Sequence, residues 1–269
     1  MAARRHTEKM THRETLQTFD GCRIRLMRAG TGPALLYLHG ARGAGAWLPF
    51  MQQLSQRFDV IVPEHPGFGG SDMPDWLDNV GDLAYFYLDV MEELAIDGVH
   101  LVGTSLGGWI AAEIAVRSCA RLRTLTLSAA AGIHVKGVSK GDIFLWSPEK
   151  LLRNMYHDPA LADAAVAQPL SEAEQMADMK NRLATAKLAW QPRLYNPHLA
   201  KWLHRIDVPT LVLWGDDDKI IPPPYGPAFA EGIPGARLEV IRNCGHVPQL
   251  ERTTEWVEKI TTFIDEVGP

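Results

Sequence analysis

The chain has 269 residues, 46% of them apolar and 22% charged, enough for a sizeable core and close to soluble globular averages, which excludes disordered, collagen-like and disulfide-scaffold classes. Lys and Arg total 27 against 32 Asp and Glu, a formal charge of −5 with a pI near 6.1, so there is no global basic field to draw nucleic acid or anionic lipid. Cys22, Cys119 and Cys244 are odd in number and far apart, lack Cys/His metal spacing, and read as the reduced thiols of a cytoplasmic protein. Residues 1–15 are polar with no apolar h-region, and no run of about 18 apolar residues occurs, so neither a secretory leader nor a membrane span is expected.

Short apolar, β-branched runs separated by turn residues predict eight strands, at residues 14–19, 23–28, 34–38, 59–62, 99–102, 122–127, 210–214 and 237–241. Asp20-Gly21 between the first two supplies the positive φ angles of a tight hairpin turn. Later strands alternate with amphipathic helical patterns. Leu83, Phe86, Tyr87, Val90, Met91 and Leu94 repeat at three and four, and residues 105–117 and 253–264 follow the same period. Strand–helix alternation predicts right-handed crossovers and a mostly parallel sheet covered on both faces, with the hairpin as its antiparallel edge.

One stretch breaks this alternation. Residues 133–205 show only helical signals: Ser147-Pro148 and Asp158-Pro159 each place a capping residue before proline, and Ser171 with Glu174 forms a capping box before a helix reaching about Trp190. The expected organisation is a core of residues 1–132 and 206–269 with a helical cap, residues 133–205, inserted in it. Trp146, Met155, Tyr156, Met176, Met179, Trp190 and Trp202 are expected to divide between the cap's own core and a pocket wall.

The strongest chemical signal is VHLVGTSLGG at residues 99–108, a buried strand running into G-x-S-x-G and then into a helix. That context suits a strained turn that exposes Ser105 Oγ at the strand's end, above the positive end of the next helix. A serine hydroxyl is a poor nucleophile without a base. Of ten histidines, His246 follows the last strand in NCGHVP, and Asp216, Asp217 and Asp218 follow the preceding one in LVLWGDDDKIIP. The other histidines, His6, His12, His65, His100, His134, His157, His198 and His204, lack metal-ligand grouping and are expected in solvated or capping roles.

The order Ser, Asp, His on such a sheet resembles the α/β-hydrolase superfamily from about residue 14 to the C-terminus. The resemblance implies the α/β-hydrolase fold and a catalytic triad. The family's G-x-x-D-x-x-x-P pattern falls on Gly215 to Pro222 and implies Asp218 as the acid, leaving Asp216 and Asp217 as turn-formers and solvated charges. LLYLHGARG, residues 35–43, resembles the family's His-Gly turn and implies an oxyanion hole made by the N–H groups of Ala41 and Leu106, with His39 packed beneath the turn. PGFGGSD, residues 66–72, resembles another family turn, whose glycines allow positive φ and require no phosphate.

Serine at position 105 sets aside haloalkane dehalogenases and epoxide hydrolases, which use aspartate there. The leading expectation is a carboxylesterase acting on hydrophobic small or medium acyl or aryl esters, aliphatic polyester ends included, through an acyl-enzyme. Meta-cleavage carbon–carbon hydrolases rank second: Gly107-Gly108 and Gln249 fit them, whereas Thr104 replaces their Asn, Val247 their Trp, and Arg42 interrupts their Gly-rich loop. A receptor-like binding protein with slow turnover ranks third. No metal or organic cofactor is implied, and a monomer or homodimer is expected.

Overall fold

In the computed structural model, which describes residues 12–268, Asp20 (φ 44°) and Gly21 (φ 71°) turn the chain between β1 (Arg13–Phe19) and β2 (Cys22–Ala29), pairing Phe19 with Cys22. The readings made on residues 1–11, the leader and His6 among them, lie outside the described residues. β2 runs antiparallel to β4 (Asp59–Pro63), and from there the sheet is parallel: β3 (Ala34–Leu38), β5 (Val99–Thr104), β6 (Leu122–Ser128), β7 (Thr210–Gly215) and β8 (Arg237–Ile241). The spatial order is β1-β2-β4-β3-β5-β6-β7-β8. All eight expected strands are present, several one or two residues longer than the periodicity suggests.

β5 and β7 are buried at every position because helices cover both faces, which is why they read as continuous apolar runs. Alternation sorts their neighbours. Leu35 and Tyr37 face a core layer with α1 (Pro49–Leu54) and α9 (Thr253–Val267), while Leu36 and Leu38 face α2 (Val80–Glu93), α3 (Leu106–Arg117) and α7 (Tyr225–Gly232). A short α8 (Pro248–Glu251) precedes α9.

Between β6 and β7 the chain forms α4 (Pro148–Met155), α5 (Pro159–Ala167), α6 (Glu172–Ala189) and a 3-10 turn (Ala200–Arg205), with no strand beyond an isolated Gly132–Tyr195 bridge. The caps follow the residues that announce them. Ser147 and Asp158 accept from the N–H groups of Lys150 and Ala160, and Ser171 and Glu174 cap each other's backbone. α6 buries Asn181, Ala184, Thr185 and Leu188 and leaves Met176, Met179, Leu183 and Trp190 exposed.

His65 and His100 correct the expectation of solvated or capping roles, since both are buried. The protein itself satisfies their ring atoms. The His65 N–H donates to His39 Nε2 at 3.0 Å, so the His39 proton sits on Nδ1 and donates to Gly40 O at 2.8 Å. His65 Nε2 in turn donates to His39 O, the Tyr87 hydroxyl donates to His65 Nδ1, and His100 Nδ1 bonds Thr124 Oγ1 at 2.9 Å. Burial pushes the pKa of His39 and of His100 down to about 4, and that of His65 well below its ordinary value. Cys22, Cys119 and Cys244 are free, and burial pushes the thiols of Cys22 and Cys119 up to about 11. Among the described residues no helix is long and apolar enough to cross a membrane, and no group of His, Cys, Asp or Glu is arranged to hold a metal.

Candidate active site

At the end of β5 the backbone turns into α3 through Ser105, held at φ 53° and ψ −113°. This is costly for a residue with a Cβ, and it persists because its surroundings fix it. The Ser105 N–H donates to Ser128 O at 3.0 Å, and Ser105 O accepts from the N–H groups of Ala131 and Trp109. Two glycines make the turn sterically possible: a Cβ on Gly103 would lie 2.3 Å from Gly107 O, and one on Gly107 would lie 2.0 Å from Leu38 O.

Ser105 Oγ lies 2.9 Å from His246 Nε2, and His246 Nδ1 lies 2.8 Å from Asp218 Oδ2. Asp218 Oδ1 accepts from the N–H groups of Ile220 and Ile221 at 2.8 and 2.9 Å, so the buried carboxylate is fully engaged and can only accept from the ring. With the proton on Nδ1, Nε2 is the acceptor for the serine hydroxyl. The backbone His246 N–H donates to Met155 O at the end of α4, tying this loop to the helical segment between β6 and β7.

Asp216 and Asp217 do not reach His246. They are also less solvated than expected: Asp216 Oδ1 accepts from Cys244 N–H, and Asp217 is shared by His157 (2.9 Å) and Lys219 (3.0 Å).

Gly40 sits against the serine, where a Cβ would be 3.4 Å from Ser105 Cβ, so the chain after β3 passes directly over the nucleophile. The N–H groups of Ala41 and Leu106 donate to no acceptor among the described residues. For Leu106 this follows from its place in the first turn of α3, whose N–H groups have no intrahelical partner. Two unpaired donors therefore stand beside Ser105, the arrangement that can hold a developing oxyanion.

A cavity of about 330 Å³ opens over these groups, walled by Met51, Ile143, Leu151, Met155, Ile220 and Val247. A second lobe of about 350 Å³, bounded by Phe144, Met179, Leu183 and Trp190, shares Ala41, Arg42, Ile143 and Leu151 with the first. Of the aromatic and Met residues expected in the cap, Met155, Met179 and Trp190 reach these walls. Trp146 and Tyr156 pack against the core, Met176 is exposed, and Trp202 borders a separate cleft with Tyr85 and Arg205.

Three residues absent from the sequence reading hold the site together. Asn181 on α6, 4% exposed, donates through Nδ2 to Arg42 O at 2.7 Å and accepts the Gly69 N–H on Oδ1 at 2.8 Å. One turn later Thr185 Oγ1 donates to Asn181 O at 2.7 Å and lies 3.3 Å from Ala41 O. Glu251 accepts from the N–H groups of Gly245, His157 and Asp158, joining the histidine loop to the start of α5. No local pattern marks any of them.

A profile of the alpha/beta hydrolase family matches residues 35–260. The chain is 30% identical to a 2-hydroxy-6-oxo-6-phenylhexa-2,4-dienoate hydrolase of Comamonas testosteroni, over 90% of this chain and 91% of that one. It is 28% identical to a 2-hydroxy-6-oxononadienedioate/2-hydroxy-6-oxononatrienedioate hydrolase of Paraburkholderia phymatum, over 97% of this chain and 98% of that one. A solved bacterial membrane phospholipase A superposes with a TM-score of 0.70 at 27% identity, covering 96% of this chain and 87% of the other. The family profile spans the elbow, both partner loops and the segment between them, and the sheet has the matching order: the chain belongs to the alpha/beta hydrolase family.

Proposed function

We propose that this hydrolase cleaves the carbon–carbon bond beside the ketone of a 2-hydroxy-6-oxo-dienoate, with Ser105 as nucleophile, His246 as general base and acid, Asp218 as the group that orients the ring, and the Ala41 and Leu106 N–H groups as oxyanion donors. The helical segment, residues 133–205, serves as a cap over the cleft. The likeness along nearly the whole chain to hydrolases of such compounds carries this reading, and it reverses the ranking suggested by Thr104 and Val247.

The steps follow from the distances. His246 Nε2 takes the Ser105 proton as Oγ adds to the ketone carbon, and Asp218 stabilises the imidazolium. The oxyanion forms against rigid N–H donors, each typically worth about 2.7–4 kcal/mol to the transition state. Collapse breaks the carbon–carbon bond. The substrate reacts as its 2-keto tautomer, in which the 2-hydroxyl proton has moved to the carbon beside the ketone; when the bond breaks, the electron pair runs through the conjugated chain to the 2-oxo oxygen, which takes the proton from His246. Water, deprotonated by His246, then releases the acyl group from Ser105. One water is consumed, and a carboxylic acid and a 2-hydroxydienoate are formed.

Ester hydrolysis is the second reading, since the same groups act with oxygen as the leaving atom; the apolar walls and the likeness to a phospholipase favour it. The test is turnover of 2-hydroxy-6-oxo-6-phenylhexa-2,4-dienoate, followed by loss of its chromophore and formation of benzoate, beside p-nitrophenyl butyrate, by the protein and by Ser105→Ala. Dienoate cleavage lost in Ser105→Ala supports the proposal. Ester cleavage alone selects the second reading, and rates unchanged in Ser105→Ala overturn both.

A further inference from the structure

We propose that Arg42 is the anion anchor of the cleft: its guanidinium takes a carboxylate on the leaving half of the substrate and makes this enzyme selective for acids over their neutral analogues. The inference rests on the cleft being the substrate site and adds a selecting group to it.

Arg42 borders both lobes, at the junction between the Ser105 cavity and the lobe beneath Trp190. Among the described residues it is the one Lys or Arg lining the Ser105 cavity, and no Asp or Glu lines it. In the second lobe Arg182 and Asp178 are paired at 3.0 Å and neutralise each other. Elsewhere in the described chain most arginines pair with a carboxylate, as Arg28 does with Asp59 and Arg193 with Asp142. Of those with none, Arg123, Arg205 and Arg252 donate to backbone carbonyls, and Arg13, exposed at the start of β1, makes neither contact among the described residues. Among the described residues the Arg42 side chain does neither.

Its root is nonetheless fixed. Asn181 holds the Arg42 carbonyl, and the adjacent Ala41 carries one of the two oxyanion donors. A guanidinium is always charged, is weakly hydrated, and presents a fork that matches a carboxylate. An exposed ion pair contributes little, but a ligand lying over Arg42 between two apolar lobes excludes the water that weakens the pair. The favoured ligand therefore carries its reacting carbonyl at Ser105, an apolar acyl group in the first lobe, and a carboxylate on the opposite side of the scissile bond.

Calorimetric titration of Ser105→Ala, which binds without turnover, with meta-(butanoyloxy)benzoate and with the matching neutral amide tests this. The acid is expected to bind about tenfold tighter than the amide, the scale of one charge-assisted hydrogen bond. High salt is expected to shrink that preference, Arg42→Gln to erase it and Arg42→Lys to keep part of it. Equal binding of acid and amide to Ser105→Ala, absence of binding by both, or a preference that survives Arg42→Gln in a variant with an unchanged circular dichroism spectrum overturns the proposal. Dienoate turnover by the unaltered protein is read separately, so failure of the carbon–carbon reading and failure of the anchor are distinguishable.

Discussion

Replacing Asn181 by alanine tests whether α6 sets the geometry of the proposed oxyanion hole. The change removes the bond to Arg42 O at 2.7 Å and the bond from Gly69 N–H at 2.8 Å, both made by a side chain that is 4% exposed. Each such bond is worth about 1 kcal/mol net, and stranding a buried partner adds about 1–3 kcal/mol where water cannot enter. The loop borders a cavity that admits water, so the lower part of that range applies, and a total loss of about 2–3 kcal/mol in unfolding free energy is expected. Catalysis carries a further cost, because the Arg42 carbonyl and the Ala41 N–H lie two peptide groups apart in one short turn. Losing an oxyanion donor outright costs about 2.7–4 kcal/mol, and misaiming one by a fraction of an ångström is expected to cost about half of that, a ten- to thirtyfold fall in kcat. Urea unfolding gives the first quantity, and steady-state hydrolysis of p-nitrophenyl butyrate or of the dienoate gives the second. Thr185→Val, which removes only the hydroxyl that leans on Ala41 O, is expected to lower kcat by a few fold with a smaller stability loss. An Asn181→Ala protein with an unchanged midpoint and kcat within about twofold of the original would refute the reasoning.

Asp218→Asn is expected to leave the fold intact while lowering kcat by about a thousandfold or more, because an amide in place of the carboxylate favours the wrong imidazole tautomer; ring nitrogen shifts in NMR spectra with kcat would show both effects. Gly107→Ala places a methyl 2.0 Å from Leu38 O and 2.6 Å from His39 O, backbone atoms that cannot swing aside, so a loss of about 3 kcal/mol or more is expected in a urea midpoint measurement. The histidines make stability pH-dependent with a definite sign. Unfolded, His39, His65 and His100 titrate near 6.5, whereas burial in the folded chain holds His39 and His100 down to about 4 and His65 well below its ordinary value, so the unfolded chain binds the extra protons and stability falls as pH drops from 6.5 toward 4. The slope is up to about 1.4 kcal/mol per pH unit for each ring, and an unfolding midpoint that stays constant between pH 7 and 5 would contradict it.

What was legible in the sequence is what the chain encodes locally. Leu35 to Leu38 reads as a strand because it is buried on both faces, and Ser105 stands out because its elbow needs Gly103 and Gly107 within two residues. Asp218 and His246 were reachable because each follows a strand in a short turn. Asn181 was not, since its partners Arg42 and Gly69 lie more than a hundred residues away and asparagine carries no pattern of its own. α6 also blurs the usual clue: its packed face mixes Asn181 and Thr185 with Ala184 and Leu188, while Met176, Met179 and Leu183 are exposed. His65 and His100 look like surface residues in composition, and only tertiary hydrogen bonds make their burial tolerable.

The bonds from Asn181, Thr185 and Lys180 to the turns at residues 41–42 and 69–71 also give α6 a thermodynamic role. A ligand whose oxyanion orders the Ala41 turn favours the seated helix, and by reciprocity a seated helix favours that ligand to the same degree. Release of the helix and loss of the pre-set Ala41 donor are then a single event, so lifting α6 from the proposed active site also weakens its oxyanion hole. With a boronic acid bound at Ser105, amide exchange along α6 is expected to slow together with exchange in the Ala41 turn, joining two segments separated by more than a hundred residues in one protected unit.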